Sequence, residues 1–265
     1  MSDPALSQRE RARTHWHPIA QACRSAVAEL AVAPGSADAP PLRIFDVSRE
    51  PDQAGLTGVA GLTSAGISTR AVVALSREEP ATQAYARAEA LGLTSVTFAD
   101  LDLDDVERVE AQLLGGPVQL LLALHACDTA SDDALATAIT RGVPAIVCAP
   151  CCHEELAEQL EHATRPPNAS LVRCGVLRRR YASALTDALR LDLLEACGYE
   201  VGTISWPTQP HMPAQLIVHA RRRDTGPVNT DAWALDKVGV TCDRLGVRPG
   251  LLAALVGFSA GAGTR

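Results

Sequence analysis

Short apolar runs alternate with longer, mixed segments from residue 42 onward. The runs are rich in β-branched residues and read LRIFDV (42–47), AVVAL (71–75), SVTF (95–98), VQLLLAL (118–124) and PAIVCA (144–149). Segments of helical composition separate or follow them, at 53–66, 79–91, 103–114, 131–141 and 153–163. Strands that alternate with helices form a parallel sheet covered by helices on both faces. The pattern therefore predicts an α/β fold.

The alternation changes after residue 178. A long helical segment at 179–198 leads into two strand-like runs, 199–206 and 214–221, with only PTQPHMP between them. So short a connection requires antiparallel strands, and we expect a hairpin at the sheet edge. A mostly parallel, seven-stranded sheet with a C-terminal antiparallel hairpin is therefore predicted over residues 41–222.

The two ends of the chain are expected to lie outside this Rossmann-like domain. Residues 5–31 have helical spacing interrupted near Pro18, and the Pro- and Ala-rich APGSADAPP follows, so we expect a helical extension and linker over 1–40. Residues 223–265 are weakly patterned and are expected to form a tail with one helix near 229–245.

The composition narrows the class of partner and the compartment. A formal net charge of -7 disfavours DNA as a partner and favours a small or neutral one. Neither a secretory signal nor an apolar run of about 18 residues is present, so we expect a cytoplasmic protein that does not enter the membrane. In a reducing compartment the eight cysteines are expected to be thiols, ligands or core residues rather than disulfides.

Candidate chemistry is concentrated where the fourth and fifth strands end. Ligands bind outside the carboxyl ends of parallel strands, and the tips of neighbouring strands lie side by side. The sequences that follow these strands are LHACDTASDD and APCCHEEL, and the hairpin connection returns to the same edge. The residues thus brought to one region are His125, Cys127, Asp128, Cys151, Cys152, His153 and His211.

Three interpretations of Cys151, Cys152 and His153 remain open. The thiols could pack as small apolar residues before a helix that begins with acidic residues. They could be catalytic, because a helix N-terminus lowers the pKa of a thiol and an imidazole can exchange protons. They could also belong to a metal site with Cys127 and His211, although adjacent cysteines cannot readily both point inward.

The segment HACDTASDD also has two interpretations. Thr129 could cap a helix that carries Asp132 and Asp133 in its first turn. Capping does not require His125 or Asp128, however. Either of these residues, or His153, could act as a general base that removes a proton from a substrate.

Three elements together resemble a known family. They are similar to a methyltransferase-like family that carries H-A-C-D-T-A-T-D and P-C-C-H elements. The three elements of this chain read LHACDTASDDAL, APCCHEEL and LRRRYASALTDALRLDLLEACGYEV. That family is distantly akin to tRNA 2'-O-methyltransferases with a C-C-H-H signature. The resemblance implies a class I methyltransferase fold and S-adenosylmethionine (SAM) as cofactor. It also implies a small molecule or an RNA nucleoside as acceptor, facing His125, Asp128, Cys151, Cys152 and His153.

The resemblance also implies a cofactor side, where this chain departs from the family pattern. In IFDVSREPDQAGL, Asp46 is present, but Ser48 and Glu50 stand at the glycine positions of D-x-G-x-G. Ser76 stands where the second strand is expected to end in an acid. The expected cofactor-binding residues are Asp46, Ser48, Ser76, Asp100, Leu101 and His125. If SAM binding has been lost, the alternatives are a zinc- or iron-dependent enzyme of specialised metabolism or a non-catalytic pseudo-methyltransferase.

Overall fold

A computed structural model describes residues 17–30, 39–48, 54–75, 80–126, 128–150, 153–163, 169–206, 215–224 and 231–262. A single seven-stranded sheet has the order β3-β2-β1-β4-β5-β7-β6. The strands are β1 Leu42–Asp46, β2 Thr69–Ala74, β3 Val96–Ala99, β4 Leu120–Leu124, β5 Ala145–Ala149, β6 Tyr199–Trp206 and β7 Gln215–Arg222. β1 to β5 pair in parallel, whereas β7 is antiparallel to both β5 and β6. The predicted fold is confirmed.

Helices cover both faces of this sheet. They are α1 His17–Val27, α2 Ala54–Ser64, α3 Ala81–Ala90, α4 Val106–Arg108, α5 Thr129–Thr140, α6 Glu154–His162, α7 Ala169–Arg173, α8 Gly175–Ala196, α9 Ala232–Leu245 and α10 Gly250–Ala262. A 3-10 turn, Leu103–Asp105, precedes α4, and π-helical Val109–Leu114 follows it. No described helix has both the length and the apolar character needed to cross a bilayer.

The central strand β4 shows why the apolar runs are continuous. All five of its residues are buried. Leu120, Leu122 and Leu124 pack into the cluster that contains α1 and α2. Leu121 and Ala123 pack into the cluster on the other face, with α5, α6 and α8. A parallel strand covered on both faces has no polar side, so its sequence does not alternate.

The helix at the N-terminal end of the described chain packs directly on α2. A Cβ atom added at Gly61 of α2 would lie 2.5 Å from the Cβ of Ala20 in α1. Only a glycine allows this approach. Residues 17–27 of the expected extension therefore contribute to the core beside β1 and β4.

The C-terminal region differs from its sequence-based description, because it forms two helices rather than one. Leu251 and Leu255 of α10 are buried in the same cluster as Leu135 of α5. The Glu155 carboxylate accepts a hydrogen bond from the Gly250 backbone N–H at 3.1 Å, which joins α6 to the start of α10. The α10 sequence, GLLAALVGFSAGA, is apolar or small throughout, so no polar face marks it as an amphipathic helix.

The strand order places a crevice between β1 and β4. The chain proceeds from β1 to β2 and β3 in one direction across the sheet, and from β4 to β5 in the other. In open α/β sheets, ligands bind outside the carboxyl ends of the strands at this reversal. The residues after Asp46 and Leu124 are therefore the ones to inspect.

Candidate functional site

A cavity of about 620 Å³ opens at the reversal point between β1 and β4. Its wall is built by the ends of β1 and β4, the turn after β3 and one side of α5. The lining residues are Val47, Ser48, Asp102, Leu103, Asp104, His125, Ala126, Ala130, Asp133, Ala136 and Thr137. The volume lies within the range of small-molecule and cofactor pockets.

Ser48 joins the two strands that border the cavity. Its hydroxyl donates a short hydrogen bond to Asp46 Oδ1 and accepts one from the Leu124 backbone N–H at 2.8 Å. The Ser48 backbone N–H also donates to Asp46 Oδ1, at 3.0 Å. The Ser48 side chain, at a glycine position of the pattern D-x-G-x-G, thus links β1 to β4 and leaves the cavity open beside it.

Asp46 points away from this cavity, toward α2. The residue is only 2% exposed, and a Cβ atom at Gly55 would lie 1.6 Å from its Oδ2. The α2 backbone thus approaches the Asp46 carboxylate closely at Gly55. Asp46 is therefore a buried anchor of the β1 end and does not line the described cavity wall.

Acidic residues line the part of the cavity that follows β3. Asp102 caps the 3-10 turn: its Oδ1 accepts the Asp104 N–H at 3.0 Å, and its own N–H donates to Asp105 at 3.1 Å. Asp102 and Asp104 therefore face the cavity from a turn with a defined shape. The predicted cofactor residues just before it differ, since Asp100 is exposed and Leu101 is buried in the core. Neither is part of the cavity wall.

The loop between β4 and α5 has an unusual backbone. His125 and Asp128 have φ values of 57° and 48°, a region that residues other than glycine seldom occupy. The His125 N–H donates to Ala149 O at 2.9 Å, which joins the tips of β4 and β5 as predicted. His125 is one of the residues that line the cavity, and its ring packs edge-on against the buried Trp206, with ring centroids 4.9 Å apart.

Asp128 connects this loop to the next strand tip. Both carboxylate oxygens of Asp128 lie 3.1 Å from the Glu155 backbone N–H, in the first turn of α6. A carboxylate at a helix N-terminus satisfies an unpaired N–H and is favoured by the helix dipole. The prediction that Thr129 caps α5 is wrong: α5 begins at Thr129, Asp128 occupies the cap position, and the Asp128 side chain makes no capping hydrogen bond to that helix.

A buried arginine lies beneath the same loop. Arg190 of α8 donates from Nε to Asp132 Oδ1 at 2.7 Å and from Nη2 to the Asp128 carbonyl at 3.0 Å. The two side chains of the ion pair are 3% and 4% exposed. Burial raises the pKa of the Asp132 carboxyl, although the Arg190 guanidinium acts in the opposite direction.

His153 is held by α8 rather than directed into the cavity. Its Nε2 lies 2.8 Å from Asp187 Oδ1, and its Nδ1 lies 3.2 Å from Ser183 Oγ. A carboxylate only accepts hydrogen bonds, so the His153 Nε2–H donates to Asp187. Both ring nitrogens are thereby engaged, and His153 does not line the cavity.

The structure brings some of the predicted residues together and leaves others untested. His125 and Ser48 line the cavity, while Asp128 and His153 join a hydrogen-bonded network next to it. The remaining candidates lie outside the described residues: Ser76, Cys127, Cys151, Cys152 and His211.

Two residues that contact His153 could not be identified from the sequence. Asp187 and Ser183 lie one helical turn apart on α8, so they share a face, but nothing in their spacing reveals His153 as the partner.

The metal interpretation finds no support in the described part of the chain, where no three His, Cys, Asp or Glu residues are placed to hold an ion.

One family model matches the central part of the chain. Residues 58–159 match a family model described as Methyltransferase domain, which covers less than half of the chain. No curated protein matches. Among solved structures, an rRNA methylase from Streptococcus thermophilus is 9% identical, with a TM-score of 0.44, covering 83% of this chain and 100% of its own.

Two further solved structures are similar at the same level. An O-methyltransferase family protein from Burkholderia thailandensis is 12% identical with a TM-score of 0.44, covering 82% of this chain and 59% of that chain. The plantazolicin methyltransferase BamL, solved in complex with a substrate analogue and SAH, is 12% identical with a TM-score of 0.43, covering 82% and 87%. The strand order and the antiparallel β6–β7 pair are those of a Rossmann-like fold of the class I methyltransferase type. Residues 58–159, in the middle of this fold, match the methyltransferase model.

Proposed function

We propose that this protein is a SAM-dependent methyltransferase that binds its cofactor in the cavity between β1 and β4. The observation that carries the proposal is the position of the cavity, about 620 Å³ in size, at the reversal point of the sheet. The match of residues 58–159 to a methyltransferase model supports it independently, because that segment supplies most of the cavity wall.

The lining residues fit the chemistry of the cofactor. SAM supplies a methyl group on a positively charged sulfonium, and it also carries an ammonium group and ribose hydroxyls. Asp102, Asp104 and Asp133 give the cavity a negative wall that favours a cation and offers hydrogen-bond acceptors. Leu103 and Ala126 provide apolar surface suited to an adenine ring.

The acceptor is proposed to be a small molecule or an RNA nucleoside next to His125. His125 is the histidine among the described residues that line the cavity, and its backbone N–H is bonded to the Ala149 carbonyl at the neighbouring strand tip. A base in that position can remove the proton that the acceptor loses on methylation. We assign Asp128 and His153 to the support of this loop, because their polar atoms are engaged with Glu155 and α8.

Calorimetric titration with SAM and with its demethylated product SAH tests the proposal. Ala130→Trp should abolish binding, because Ala130 lies exposed on the cavity side of α5 and an indole there fills the space. Ala90→Trp, at the exposed end of α3 away from the cavity, is the matched control and should bind like the wild type. Absence of binding by the wild type at millimolar SAM would refute the proposed function.

A further inference from the structure

Arg190 has a buried position that the proposed reaction does not by itself explain. The residue is 2% exposed and lies within α8, and its guanidinium contacts two other segments of the chain and one carboxylate of its own helix. Nε bonds to Asp132 of α5, Nη2 bonds to the Asp128 carbonyl, and Nη1 lies 3.7 Å from Asp187 Oδ1. The residue thus connects α5, the β4–α5 loop and the partner of His153.

The contact with the Asp128 carbonyl falls where the backbone is strained. Asp128 has φ 48° and ψ -117°, outside the common regions for a residue with a side chain. Such conformations persist only when the surroundings hold them, and they occur often at functional sites. Here the carbonyl of Asp128 is held by Arg190 and its carboxylate by the Glu155 N–H. The β4–α5 loop is therefore fixed by two contacts, one from Arg190 of α8 and one from the first turn of α6.

The same guanidinium reaches the second strand tip through Asp187. Asp187 Oδ1 lies between Arg190 Nη1 and His153 Nε2, at 3.7 and 2.8 Å. His153 immediately precedes α6, whose first turn bonds to Asp128. The loops after β4 and β5 are consequently joined twice, once by Asp128 and once through Arg190 and Asp187.

Stability alone is a poor explanation for this arrangement. Burying an ion pair costs several kcal/mol of desolvation per ion, and apolar residues of similar size are often as stable or more stable. A buried arginine that donates hydrogen bonds to both Asp132 and the Asp128 carbonyl instead specifies one geometry of α5 and the β4–α5 loop.

We propose that Arg190 is a positioning residue of the methyl-transfer site, which holds the His125–Asp128 loop and the Asp187–His153 pair in one fixed arrangement. Its effect on catalysis rests on the proposed function, since the loop forms one wall of the proposed SAM cavity. Its effect on the loop conformation does not depend on that function.

The test compares Arg190→Met with the double variant Asp132→Leu/Arg190→Met, which leaves no carboxylate unpaired at position 132. Arg190→Lys keeps a buried cation but cannot reproduce the paired hydrogen bonds to Asp132 and the Asp128 carbonyl. Arg141→Met is the matched control, because Arg141 also contacts two carboxylates, Glu107 and Glu110, but at the opposite end of α5. Amide hydrogen exchange of the segments 125–132 and 153–156, thermal unfolding and SAM titration are measured for each variant.

We expect exchange in both segments to rise about tenfold or more in the two Met variants, beyond any global change, and SAM affinity to fall by a similar factor. The double variant should recover thermal stability without recovering either property. Arg141→Met should leave both unchanged, and Arg190→Lys should fall between. Recovery of loop protection and SAM affinity together with stability in the double variant would overturn the positioning role. If the wild type does not bind SAM, the proposed function fails, and hydrogen exchange alone still decides whether Arg190 positions the loops.

Discussion

Replacing Ser48 by alanine should weaken the connection between β1 and β4. The hydroxyl donates to Asp46, which is 2% exposed, and accepts from the N–H of Leu124, which is fully buried. Water cannot reach the Leu124 N–H, so its loss of a partner costs about 1–3 kcal/mol. Asp46 keeps the bond from the Ser48 N–H, which limits the further loss. We therefore expect the free energy of unfolding to fall by about 2–4 kcal/mol.

Ser48→Gly makes the prediction sharper, because it restores the residue type of the family's glycine loop. It loses the same two hydrogen bonds and adds a backbone entropy cost of about 0.5–1 kcal/mol, so it should be less stable than Ser48→Ala. Ser205→Ala is the control, since Ser205 is exposed on the edge strand β6. Urea denaturation followed by circular dichroism measures all three variants. A change below about 0.5 kcal/mol in Ser48→Ala, which is typical of surface positions, would show that the bridge between the strands contributes nothing.

Three further outcomes follow from buried groups near the site. Gly55→Ala should lower the free energy of unfolding by about 1–3 kcal/mol, because its Cβ would overlap the Asp46 carboxylate, and unchanged denaturation would contradict the close contact. Iodoacetamide followed by peptide mass spectrometry should modify exposed Cys174 but not Cys23, since burial raises the pKa of the Cys23 thiol to about 12; equal labelling in the native protein would refute this. Because the folded state favours the neutral Cys23 thiol, the contribution of this group to the free energy of unfolding is complete below about pH 9 and decreases as the pH rises from about 9 toward 12. Urea titrations across this range should show a smaller loss of stability with pH in Cys23→Ala than in the wild type.

The packing of the N-terminal and C-terminal helices is the part of the fold that the sequence predicts least well. α1 was recognised as helical, but its packing on α2 depends on Gly61 facing Ala20 across the interface. α10 has almost no polar residues, so the periodicity that distinguishes an amphipathic helix is missing. Its contact with α5 is instead made by Leu251 and Leu255, which no local pattern separates from their neighbours.

The site shows a similar division. That β4 and β5 are neighbours was expected from the strand order of the fold that the chain resembles, and their pairing and the His125–Ala149 hydrogen bond confirm it. The directions of the side chains did not follow, because His125 and Asp128 adopt backbone conformations that residue type does not indicate. Asp102 lines the cavity because it caps the 3-10 turn that borders it, whereas Asp100 lies before that turn and is exposed away from the cavity wall.

By itself, the sequence determined the order of strands and helices, the antiparallel end of the sheet and the strand tips at which polar residues gather. These properties depend on hydrophobic periodicity and loop length, which are local. Only the tertiary structure decided that His153 pairs with Asp187, that Asp128 caps the helix after the next strand, and that Arg190 lies beneath both loops. Each of those contacts joins residues 27 to 62 positions apart. Their partners were chosen by how α8 packs against the sheet, a choice that no local pattern records.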